Sequence, residues 1–193
     1  MEILVGALLI ALVVIIYAWY VVLIRRRNRA LEALSSIDVQ LRKRHDLLPN
    51  ILKLAQRFMT HERDLLSKVV ELRNEARQPY DPGSSDAVHR HLAAEGGLQA
   101  GLRQLFALAE NYPELRSSQA VLEAQQSFAM VEGHISAARR FYNSAVTELN
   151  NAVQIFPGSF IAKQVGVQPL PFFEIEDEAV RQPIDANEFL GAR

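Results

Sequence analysis

Cysteine is missing altogether from this 193-residue sequence. Its absence excludes disulfide scaffolds, thiolate zinc sites and cysteine nucleophiles, and leaves the compartment open. An excess of one charge is missing too. The 21 Lys and Arg against 22 Asp and Glu give a net charge of -1, which argues against a basic nucleic-acid binder. With 49% hydrophobic residues the chain is not a disordered one. No strand-like alternation of useful length appears, nor a repeat with a period of roughly 20–50 residues.

Catalytic signatures are also lacking. There is no GxSxG elbow, SxxK, P-loop or GxGxxG. Gly96-Gly97 and Gly101 lie in a helical context with no βα unit to support a phosphate cradle. His61-Glu62 begins like HExxH but continues Arg63-Asp64-Leu65, so the second histidine is absent. His89 and His91, two apart on a helix, point about 200° away from each other. His45 and His134 are isolated and read as surface or interface residues. The expectation is a non-enzyme with no catalytic, cofactor-binding or metal-ligating residue, and no cofactor.

What is present is one long apolar run. Ile3 to Ile24 carries no charge and would span ~33 Å as a helix, against a bilayer core of ~30 Å. Tyr17, Trp19 and Tyr20 near its C-terminal end suit an aromatic belt. A cleaved signal peptide would put positive charge ahead of a shorter apolar stretch. Here the basic residues Arg25, Arg26, Arg27 and Arg29 come after it. The segment 1–24 therefore reads as an uncleaved, single-pass anchor whose partner is the lipid bilayer. The positive-inside rule places residues 25–193 in the cytoplasm. Ala7 and Ala11 form a small-xxx-small pair, which carries little weight in an apolar run.

Beyond the anchor, apolar positions step in threes and fours through Leu34, Ile37, Leu41, Leu48, Ile51, Ala55, Phe58, Leu65, Val69, Leu72 and Ala76, interrupted only by Arg44 and Glu62. This averages 3.5, the seam of a coiled coil or bundle. No Gly or Pro separates it from the anchor, so the membrane helix is expected to run straight in. Pro49 predicts a kink or break near Leu48, after which the register resumes. Gln78–Ser85 (QPYDPGSS) reads as a loop, with Ser85 or Asp86 capping a helix that ends at Asn111-Tyr112-Pro113. The glycines of that helix weaken it or let a neighbour pack closely. A last long helix starts near Ser117–Ser118, and its seam of Val121, Ala124, Phe128, Val131, Ile135, Ala138, Tyr142, Ala145, Leu149, Ala152 and Phe156 holds over about five heptads. From Pro157 the prolines and the acidic stretch Glu174–Glu178 argue against another long helix. The apolar first half should pack on the bundle, and residues past about 178 should be mobile.

Two polar features stand out. Arg42-Lys43-Arg44-His45-Asp46 is dense in charge, and Arg44 occupies the apolar seam, where a charge must be paired or set register. Arg139-Arg140, Asn143 and Asn150-Asn151 give the last long helix a polar side. Both fit salt bridging inside one bundle, or an interface for another subunit or an anionic lipid headgroup. Were the chain an enzyme, Arg44, His45, Asp46, Glu62 and Asn143 would be the residues to converge on a pocket.

Several motifs agree in order with a known family. They are Ser36-Ile37-Asp38-Val39-Gln40-Leu41 followed by Arg44-His45-Asp46-Leu47-Leu48-Pro49-Asn50-Ile51, then His61-Glu62, Glu110-Asn111-Tyr112-Pro113-Glu114-Leu115, Arg139-Arg140-Phe141-Tyr142-Asn143, Phe156-Pro157-Gly158-Ser159-Phe160-Ile161-Ala162 and Pro171-Phe172-Phe173-Glu174. In these the chain resembles the LemA family of bacterial membrane proteins, over roughly residues 1–178. Lys163–Val167 is less apolar than the usual family stretch, and residues 179–193 have no clear counterpart. The resemblance implies a bacterial source, a single-pass anchor and a bundle of long helices. It supplies no reaction, and its motif residues carry no catalytic or ligand-binding roles to transfer.

The fold expectation is therefore all-α: a transmembrane anchor over 1–24, an antiparallel bundle of long helices over 25–156, and an extended, Pro-containing segment over 157–193. The function expectation is a scaffold at the bacterial inner membrane that self-associates as a homo-oligomer or docks a membrane-protein partner. The alternative is an adaptor or sensor for a membrane enzyme or envelope-stress regulator. A period of 3.5 fits internal packing and self-association equally.

Overall fold

The structure is a computed structural model that describes residues 1–116 and 118–174. The expected mobility beyond residue 178 lies outside the described residues. Six helices appear in the order α1 (Glu2–Phe58), α2 (Arg63–Ala76), α3 (Ser85–Ala109), α4 (Pro113–Arg116), α5 (Gln119–Gln154) and α6 (Gly158–Val165), and the described residues contain no strand.

Between Gly6 and Pro49 no glycine or proline offers a break, and α1 runs unbroken from the apolar stretch into the bundle. At ~1.5 Å per residue it is about 86 Å long. Its first buried residue is Leu23, and from Ile3 to Val22 all but half-buried Gly6, Trp19 and Val21 is exposed apolar surface.

The break expected near Leu48 does not occur, because α1 continues through Pro49 to Phe58. Proline removes the N–H that would bond the carbonyl four residues back. That carbonyl is on His45, and Arg73 Nε donates to it at 3.2 Å. A side chain from α2 thus replaces the missing backbone donor.

The chain reverses instead at residues 59–62, where neither Gly nor Pro stands. Met59 is fully buried there, and Glu62, the residue that interrupts the seam, accepts a 2.9 Å hydrogen bond from the Tyr112 hydroxyl. Of the seam residues after the turn, Val69 and Ala76 are buried and Leu65 and Leu72 half-buried, with Leu66 buried beside them, in a helix that doubles back and packs mainly on α3. This packing explains one glycine. A Cβ on Gly101 would stand 2.9 Å from Leu72 Cδ1 and 3.6 Å from Val69 Cγ2. The loop after α2 ends one residue earlier than expected, with Ser84 as the cap, its hydroxyl accepting from the Ala87 N–H.

α5 returns antiparallel along α1, and these two make the main contact of the fold. Arg26 Nη1 donates to the Glu148 carbonyl, Arg44 pairs with Glu132, and a Cβ on Gly158 would stand 3.7 Å from Trp19 Cε3. In each pair the α1 number falls as the α5–α6 number rises, so the end of α5 lies beside the apolar run. Val121, Val131, Ile135, Tyr142, Ala145, Leu149 and Ala152 of the expected seam are buried, joined by Val146. Phe156 is not, at 81% exposed, because α5 stops at Gln154.

Part of the segment expected to be extended is helical. Gly158–Val165 forms α6, closed by Gly166 at φ +68, a left-handed conformation that glycine adopts without strain. The chain then turns back along α5 without regular structure, burying Val167, Leu170 and Phe173. Their spacing of three, with Pro169 and Pro171 between, suits a polyproline-like strip.

The apolar interior divides in two. The half near the span contains Leu34, Ile37, Val88, Ile135, Tyr142 and Leu149. The far half contains Leu48, Ala55, Met59, Val69, Leu102 and Leu105.

Candidate functional site

Between the two apolar halves lies a layer of buried charge. Arg44 occupies its seam position and is 0% exposed; Glu95 from α3 is 1% exposed, and His45 is also buried. Arg44 Nη2 pairs with Glu95 Oε2 and also donates to the Glu95 backbone carbonyl at 3.3 Å. Its Nη1 reaches Glu132 Oε1 on α5 at 3.3 Å, and Gln99 Nε2 donates to the other oxygen of Glu132 at 3.4 Å. His45 Nε2 lies 2.8 Å from Glu95 Oε1. With Glu95 ionised, the hydrogen belongs on Nε2. One guanidinium therefore ties α1 to α3 and α5 together. Arg44 Nε and His45 Nδ1 find no protein partner.

Beside this layer an open crevice of about 500 Å³ is lined by Asp38, Arg42, His45, Asp46, Tyr80 and His91, among others. The Tyr80 hydroxyl donates to Asp38 Oδ2 at 2.7 Å, and its ring stacks on His91 with centroids 4.0 Å apart and planes 12° from parallel. Burial, and then the hydrogen bond to Asp38, raises the Tyr80 hydroxyl pKa above its usual value. His91 Nε2 stands 3.4 Å from Asp38 Oδ1, an ion-pair distance when the imidazole is protonated.

A second polar device faces the C-terminal strip. Asn150 exchanges two hydrogen bonds with the backbone of Leu170, both 2.9 Å. Asn143 does the same with Phe173, donating to its carbonyl at 3.2 Å and accepting from its N–H at 2.9 Å. The Tyr142 hydroxyl adds a bond to the Pro171 carbonyl. Seven helical residues rise about 10.5 Å, and three residues of polyproline-type chain about 9 Å. Asparagines one heptad apart can therefore clip positions three apart on the strip. Burial, with Arg140 adding to it, lowers the pKa of Arg139, whose guanidinium sits 6.0 Å over the Phe173 ring.

Of the residues an enzyme would have to bring together, Arg44 and His45 meet on Glu95, and His45 shares the open crevice with Asp46. Asp46 is exposed, Glu62 sits at the far turn on Tyr112, and Asn143 holds the C-terminal strip. His61, His89 and His134 are exposed, while His91 turns into the crevice. Among the described residues no three His, Asp or Glu side chains are grouped to hold a metal ion. Both Glu95 oxygens are engaged within the bundle, so this carboxylate locks helices together. Glu95, Glu132, Asp38 and Tyr80 escaped the sequence reading. Glu95 had a signal, since it continues the buried series Val88, Leu92, Leu98, Leu102. Glu132, beside the seam, had none.

The sequence profile of the LemA family matches residues 33–187. The chain belongs to the LemA family. The match extends past residue 178, where the motif resemblance ends, so residues 179–187 have a family counterpart after all. This LemA-family chain is similar to magnetosome protein MamQ of Magnetospirillum gryphiswaldense, with 22% identity over 162 residues, 72% of this chain and 58% of the relative. MamQ 1 of Paramagnetospirillum magneticum is 22% identical over 160 residues, 72% of this chain and 59% of the relative. Protein LemA of Metamycoplasma hominis is 24% identical over 166 residues, 86% of this chain and 73% of the relative. The chain thus spans under two thirds of the MamQ proteins. The names of these LemA-family relatives describe no reaction.

Proposed function

We propose that this protein is a non-enzymatic, single-pass helical scaffold at the bacterial inner membrane, with its bundle in the cytoplasm, that self-associates or docks a protein partner. The observation that carries the reading is α1. One helix is both the apolar span and the central strut of the bundle, with no flexible joint between them. Such a continuous element holds a protein surface at a fixed height above a bilayer, which a tethered enzyme does not need. The buried charge layer, with both Glu95 oxygens engaged, and the clipped C-terminal strip support it, since both spend polar groups on rigidity.

Light scattering of the full-length protein in mild detergent, with detergent mass subtracted, tests the reading. A defined oligomer is the result expected for self-association. A monomer that cross-links in cells to one partner supports docking. A monomer that cross-links to nothing overturns the scaffold.

The adaptor or sensor reading has its own observation. The crevice mouth carries exposed Arg42 and Asp46 beside the charge layer. Charge reversal at both positions would then abolish capture of a membrane enzyme or stress regulator at unchanged thermal stability. Unchanged capture rules this version out.

A further inference from the structure

Among the described residues, three of the four most exposed large apolar side chains outside the span gather where α5 meets α6. Phe156 is 81% exposed, Phe160 62% and Ile155 60%. Singly they would mean little. Their height on the molecule gives them meaning. Arg26 of α1 bonds the Glu148 carbonyl. From Glu148, α5 runs on towards the N-terminal end of α1 for about 10 Å before it stops. That carries the junction past the arginine cluster. α6 then packs against α1, where a Cβ on Gly158 would touch Trp19 Cε3 at 3.7 Å, and so tightly on the end of α5 that the same Cβ would run into the Ala152 carbonyl.

Trp19 belongs to the apolar run. A hydrocarbon core of ~30 Å measured from Ile3 at ~1.5 Å per residue ends near Leu23. The level of Trp19 is therefore about 6 Å inside the boundary, among the aromatic side chains Tyr17 and Tyr20 that suit an interface. A segment at that level does not face water. One face of α6 is already taken, since Gly158, Ile161 and Ala162 are buried on the bundle. The opposite side presents Phe160, with exposed Lys163 in the last turn to reach the phosphates.

We infer that the α5–α6 junction is a second membrane contact: Ile155, Phe156 and Phe160 enter the leaflet through which the span leaves, beside α1. The occupant of this surface is lipid, because the surface is continuous with the exposed apolar span and lies at its height. The contact rests on membrane anchoring by α1 and holds whether or not the bundle docks a partner. With two footings on one leaflet, the bundle cannot rotate freely about the span.

The cysteine-free sequence gives a direct test. Single variants Phe156→Cys and Phe160→Cys of the full chain carry an environment-sensitive fluorophore. Val13→Cys in the span and Met130→Cys on exposed α5 serve as references. The proteins are reconstituted in phosphatidylethanolamine–phosphatidylglycerol vesicles. Labels at 156 and 160 are expected to shift to the blue and lose emission to nitroxide-bearing lipids, as the label at 13 does. The label at 130 should instead be quenched by aqueous iodide. Iodide quenching at 156 and 160 equal to that at 130 overturns the inference, with anchoring left intact by the label at 13. Protection from both quenchers also overturns it, because protein and not lipid would then cover the junction. Loss of lipid quenching at 13 overturns anchoring and the inference together.

Discussion

The half of the bundle beside the span and the half far from it hold together by different means. The near half adds polar fasteners to its apolar core: the Asn143 and Asn150 clips, the Tyr142 bond to the C-terminal strip and the Arg29–Glu148 ion pair. The far half relies mainly on apolar side chains and on close approach at Gly101, with Phe106 packed on Phe128 and one hydrogen bond, Tyr112 to Glu62, at its turn. Between them stands a layer that is neither, Arg44 with Glu95 and Glu132. Apolar contacts are non-directional and tolerate sliding, whereas a buried guanidinium must meet its acceptors. The difference teaches where register is set. The layer fixes how α1, α3 and α5 align, and the two cores supply the bulk of the burial.

The severest way to break the comparison is to place an unpaired carboxylate in each core. Ile135→Asp should unfold the near half and Leu105→Asp the far half, since an ionised carboxylate in an apolar interior cannot be compensated. Hydrogen exchange decides whether the halves are coupled. If the layer couples them, either variant loses protection in both halves.

Next comes the layer itself. Glu95→Gln leaves Arg44 without its buried counter-charge and should cost about 3–5 kcal/mol in urea unfolding. Replacing both, Arg44→Met with Glu95→Leu, should recover most of that loss, while helix register becomes less well defined by the same exchange measurement.

The clips come third. Asn143→Ala or Asn150→Ala removes two hydrogen bonds and should cost about 1–3 kcal/mol in urea unfolding. Limited proteolysis should then cut the strip first and spare the far half. A smaller effect of opposite sign is expected at Gly96, where a Cβ meets nothing within 4 Å. Gly96→Ala should raise stability by about 1 kcal/mol in urea unfolding. At Gly101 the gain should be smaller, because Leu72 must move.

The finest test is alkaline. The folded Tyr80 hydroxyl has a raised pKa, mainly through burial. Its stabilisation is complete below the unfolded value of about 10 and is lost as pH rises beyond it. The stability gap between the parent protein and Tyr80→Phe, measured by urea unfolding across the pH range, should therefore narrow above about pH 10.

Much of this architecture was legible in the sequence. The charge-free run, the unbroken passage into the bundle and the seam from Val121 to Ala152 follow from composition and spacing. The reversal at residues 59–62 was not legible, because no Gly or Pro marks it and the 3–4 spacing continues on both sides. Continuity of α1 through Pro49, where a kink or break is expected, was hidden for a related reason: Arg73 supplies the lost donor from another helix, which no local pattern reveals. The charge layer was half legible. Arg44 on the seam announced a buried ion needing a partner, and Glu95 on its own seam could have been matched to it. Which of two distant helices meets which, and that Glu132 joins from beside a seam, depends on three-dimensional register.

The unbroken α1 also makes the molecule a lever. About 50 Å of helix separate Leu23 from the far turn at Phe58. Single spans tilt by some 20° in bilayers and adjust as the bilayer thins or thickens. A change in tilt of ~10° would therefore swing the far end of the bundle by about 9 Å. Under the proposed anchoring, bilayer thickness would thereby be translated into the position of a protein surface some 50 Å from the lipid.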